Sequence, residues 1–72
     1  MNKREDLLAG LKKGLSLEED FIIRLAPRCR LYVSASDLSP GEKQKVERII
    51  TVMEKDSTKH KKIIENIIKK LE

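Results

Sequence analysis

The stretch VERIITVMEKDSTKHKKIIENIIKKL, Val46 to Leu71, decides the fold. Read in sevens from Val46, it places Val46, Ile50, Met53, Ser57, His60, Ile64, Ile67 and Leu71 on one stripe, with Ile49, Asp56 and Ile63 alongside. Apolar residues recurring at three and four predict a long amphipathic helix. Its middle layer is polar. Where neighbouring turns offer Ile49 with Ile50 and Ile63 with Ile64, the equivalent pair is Asp56 with Ser57, and His60 follows one turn on.

Upstream, Leu8, Leu11, Leu15, Glu18, Ile22, Leu25, Cys29 and Tyr32 form a second stripe with the same alternation. Glu18 is its acidic break. Leu7 and Phe21 widen it on one side, Ala26 and Val33 on the other, which suits contact with more than one neighbouring helix. Gly10 and Gly14 each cost roughly 1 kcal/mol relative to Ala, and Ser16 with Glu19 has capping-box spacing, so a short helix ending near Gly14 is one alternative. Pro27 removes a backbone donor and crowds the preceding turn, at about 3 kcal/mol in a helix interior. Because the heptad phase continues past both, the expectation is one helix from about residue 3 to 34, kinked or broken near Pro27.

Between the stripes, SASDLSPGE has turn composition. Ser39, Pro40 and Glu42 supply a cap, a first-turn proline and a capping-box partner, so the second helix is predicted over 40–71 after a loop at about 35–39. Lys69 and Lys70 suit its C-terminal end. Two long helices and a short loop make an antiparallel hairpin, residues 1–72 forming one domain. Pairing residues equidistant from the loop sets Glu18 opposite some residue from Asp56 to His60, to within about one turn.

A chain of 72 residues buries too little surface to be comfortable alone, so the hairpin is expected to self-associate, most simply as a homodimeric four-helix bundle. Its one cysteine, Cys29, allows no internal disulfide, and neither a signal-peptide core nor a membrane span is visible, which gives an expected cytoplasmic setting. Charged residues make up 39% of the chain with both signs interspersed, as on solvated helix faces. Lys59, Lys61 and Lys62 beside His60 are flanked by Asp56 and Glu65 and lack stacking aromatics, so nucleic acid is not an expected partner.

The segments LSLEEDF (15–21) and EKDSTKHKKIIENII (54–68) resemble half of a ferritin-like or rubrerythrin-like four-helix bundle. In that family one helix gives a Glu and the next a Glu-x-x-His to a di-iron site. The resemblance implies a helical-bundle fold, with Glu18 and His60 as metal ligands and Glu19 as a substitute for Glu18. Ser57 stands where the family pattern has its bridging carboxylate, and Asp56, four residues before His60, is the nearest replacement. The candidate metal residues are therefore Glu18, Asp56 and His60, for iron, manganese or zinc. With that set incomplete, the expected role is structural or protein-interaction, with a buried Glu/Asp/His layer fixing register, and a carboxylate-histidine metal protein is the alternative. A Ser57–His60–Glu18 hydrolase lacks a nucleophile elbow and an oxyanion hole, so no catalytic residue is assigned.

Overall fold

The computed structural model describes residues 2–72, and their fold is a helical hairpin. Its first arm comprises α1 (Lys3–Asp20), a π turn (Phe21–Leu25) and α2 (Ala26–Ala35); its second is α3 (Pro40–Leu71). The arms pack antiparallel in a rod of 53 × 18 × 14 Å. No helix among the described residues is long and apolar enough to cross a membrane.

Caps and clasps fix the ends. Asn2 Oδ1 accepts from the Arg4 amide at 2.9 Å and opens α1. Ser39 Oγ accepts from the Glu42 amide at 3.2 Å while the Glu42 carboxylate accepts from the Ser39 amide at 3.3 Å, the reciprocal box that starts α3. Carbonyls left over at the helix C-termini find donors across the hairpin. Lys43 Nζ donates to Ser34 O at 2.9 Å beside the loop, and the Arg4 guanidinium donates to Leu71 O at the open end. Arg4 can reach Leu71 because the arms are almost equal in length.

Helical hydrogen bonding passes Gly14 without a break, so no separate helix ends there. A Cβ at Gly14 would sit 3.7 Å from Ile64 Cδ1, which marks a close approach of the two arms. Pro27 does not break the first arm either. The π turn just before it carries the Ala26 amide to Phe21 O, five residues back, and so makes room for a proline that can take no part in the i→i−4 ladder. The strain of the proline is taken up one turn upstream as an extra residue.

That extra residue corrects the predicted first stripe. The phase advances by one, so Ala26, fully buried, and Val33 face α3. Leu25 and Tyr32, expected in the stripe, are 49% and 68% exposed. The contact line on α3 is likewise rotated from the predicted one. Val46, Ile50, Glu54, Ser57, Lys61, Ile64, Ile68 and Leu71 face the first arm, and Ile50 and Ile68 are buried. Met53, His60 and Ile67 turn aside. Lys61 is half-buried in the contact line, where its methylene stem covers apolar surface.

Candidate functional site

The turned-aside residues define a second face. At about 100° per residue, Ile49, Met53, Asp56, His60, Ile63 and Ile67 form a row of four-three spacing beside the hairpin seam. Ile49 and Ile63 are 59% and 56% exposed, and Met53 and Ile67 are also open to solvent. On the first arm, Leu7 and half-buried Phe21 flank the seam on this same side, joined beyond the π turn by Leu25 and Tyr32. The ion pairs establish which side is which. Glu18 meets His60 here, whereas Lys12 with Glu72 (3.2 Å) and Arg30 with Glu54 lie across the opposite flank. One flank of the hairpin is therefore an apolar strip with one polar interruption, and the other is polar.

Glu18 Oε1 lies 3.4 Å from His60 Nδ1, within the interval that the midpoint register predicts. The pair is not a buried layer, which corrects that expectation: among the described residues no polar or charged side chain is buried, and the His60 side chain is 59% exposed. The cause is the rotation of α3, which brings Ser57 to the seam and swings His60 to its edge. Asp56 sits on the same flank, further from the seam. Among the described residues no group of three or more His, Cys, Asp or Glu side chains converges, so the hairpin gathers two of the three candidate ligands, Glu18 and His60. Two donors leave a metal ion short of a coordination shell, and no step through a metal follows from one hairpin. Cys29 is half-buried in the first arm and unpaired.

A polar cluster not anticipated in the sequence lies on the other flank. Arg30 donates to Glu54 Oε1 at 2.5 Å and to Thr51 Oγ1 at 3.0 Å, and the Thr51 hydroxyl donates to Glu47 O at 3.0 Å. Glu54 falls on the seam because the contact line follows positions 50, 54, 57 and 61; a stripe through Met53 points it away. The midpoint register sets Arg30 opposite residues 44–48, six or more short of Glu54, so height alone does not reveal the pair, which the long Arg30 side chain makes across that offset. The hydrogen bond from Arg30 holds the Glu54 carboxyl below its ordinary range, against a smaller opposing effect of burial, and the same bond raises Arg30. The sign follows. A carboxyl more acidic in the folded state adds stability that is full above the ordinary carboxylate range, about pH 4.3, and is lost as pH falls through and below it. Thermal melts of Glu54→Gln should therefore fall less steeply than the unaltered chain's between pH 5 and the acid limit; parallel acid profiles would remove Glu54 from the acid response.

Comparisons with known protein families, with characterised proteins and with solved structures return no match, so the chain's own geometry carries the functional reading.

Proposed function

We propose that the hairpin is a self-associating structural or protein-interaction module, two copies pairing through the apolar flank into a four-helix bundle of ferritin-like architecture. The observation that carries this is exposed area. A compact chain of 8.3 kDa is expected to expose about 4,600 Å², and this one exposes 5872 Å². Covering the excess of about 1,300 Å² on each of two copies would bury about 2,600 Å², in the range of obligate homodimers. The spacing supports the same conclusion. In a four-helix bundle each helix needs two adjoining apolar strips, and α3 has them as Ile50, Ile64 and Ile68 toward its own first arm and Ile49, Ile63 and Ile67 beside them. Sedimentation equilibrium tests it: twice the chain mass is expected at micromolar concentration.

The Glu18–His60 contact favours a second reading. A two-fold dimer on this flank would contain two copies of Glu18, Asp56 and His60, a donor count suited to iron, manganese or zinc. On that reading each metal raises the melting temperature of the unaltered chain and leaves His60→Ala unmoved. Melts of the unaltered chain that ignore all three metals count against it.

A further inference from the structure

We propose that the outer face of α3 binds the phosphate backbone of a nucleic-acid duplex. In sequence order Asp56 and Glu65 interrupt the basic residues of α3, and the helix carries Asp56 away from them and Glu65 to their edge. Glu54 turns into the seam and Asp56 joins the apolar flank, while Glu47 and Glu65 border the outer face, Glu47 beside Arg48 and Lys55 and Glu65 beside Lys62 and Lys69. Across the outer face lie Lys45, Arg48, Lys55, Lys59, Lys62, Lys69 and Lys70, all exposed. None takes part in an ion pair among the described residues.

Four of the seven repeat at intervals of seven: Arg48, Lys55, Lys62 and Lys69. On a straight helix that row is a ridge about 32 Å long, close to one turn of B-form duplex. Four cations in line on a rigid rod, none held in an ion pair, match a row of phosphates better than a compact anion. The class of partner follows from what accompanies the charge. Phe21 and Tyr32 are both on the first arm and His60 is on the apolar flank, so the ridge carries no aromatic ring on which unpaired bases would stack, and a single strand is disfavoured. Val52 is the one large apolar side chain between Arg48 and Lys55 on this face, too little to enter a lipid surface. The ridge points away from the apolar flank, so pairing of two hairpins leaves it open, and this inference does not depend on the dimer.

The test is fluorescence anisotropy with labelled 20-base-pair DNA and RNA duplexes, using the full chain. Release of four counterions gives a logarithmic salt slope near −3.6, so the dissociation constant for at least one duplex should rise about 150-fold between 50 and 200 mM salt. Replacing Lys55, Lys62 and Lys69 by Gln should weaken binding about tenfold or more at 50 mM salt and reduce the slope by about 2.7. A control with equal charge loss on the first arm, Lys3→Gln with Lys13→Gln and Arg28→Gln, should retain the slope, and circular dichroism should show both variants helical. Absence of binding to both duplexes at 50 mM salt overturns the proposal. So does equal weakening by the control, which would make net charge the cause, or tighter binding to phosphatidylserine vesicles than to either duplex.

Discussion

Replacing Ile49 and Ile63 together by Lys is expected to leave single chains at concentrations where the unaltered protein is proposed to pair. Each isoleucine loses roughly 1.5–3 kcal/mol of burial, and the dimer has two copies of each. Each introduced ammonium would also have to leave water without a partner. Even one such loss per chain weakens pairing at least about 100-fold. Leu31→Lys is the matching control. Leu31 is 70% exposed on the outer side of α2, away from the proposed interface, so its replacement should leave the mass unchanged. A double variant that sediments like the unaltered chain would show that the apolar flank is not the contact.

The second large effect separates two adjacent isoleucines. Ile50 is 7% exposed against the first arm, so Ile50→Ala should cost about 2–5 kcal/mol and lower the urea midpoint at every protein concentration. For a domain whose whole stability is of order 5 kcal/mol, that is enough to leave much of it unfolded. Ile49 makes little contact within its own hairpin. In an isolated hairpin Ile49→Ala would cost under about 0.5 kcal/mol. In a dimer it costs a core-like amount wherever the unaltered chain is paired, and the midpoints rise with protein concentration. Urea titrations at two protein concentrations distinguish these outcomes, and an Ile49→Ala midpoint equal to that of the unaltered chain at both would contradict burial of the flank.

The same two residues show what the sequence disclosed and where it stopped. The helix pair, the capping box at Ser39 and Glu42, and the meeting of Glu18 with His60 were all legible, because turn chemistry and arm length determine them locally. The facing of each helix was less so. Doubled apolar residues at Ile49–Ile50, Ile63–Ile64 and Ile67–Ile68 allow the seam to follow either member, and the packing against α1 and α2 makes the choice. A residue's difference at Met53 and Glu54 then decides whether His60 sits in the contact line or at its rim. In the first arm, Leu25 continued the heptad across Pro27 convincingly, yet a π turn is one residue longer than an α turn, and nothing in a heptad count reports it. Ala26 becomes the most buried residue there because a methyl is what fits where the arm presses on α3.

The proposal at stake is that the surface left open beside the Glu18–His60 pair is covered by a second copy of the chain. Sedimentation equilibrium of the unaltered protein at micromolar concentration and neutral pH tests it most directly. The expected mass is twice the 8.3 kDa of one chain, falling toward one chain on dilution. A mass of 8.3 kDa that stays constant across the micromolar range would contradict it.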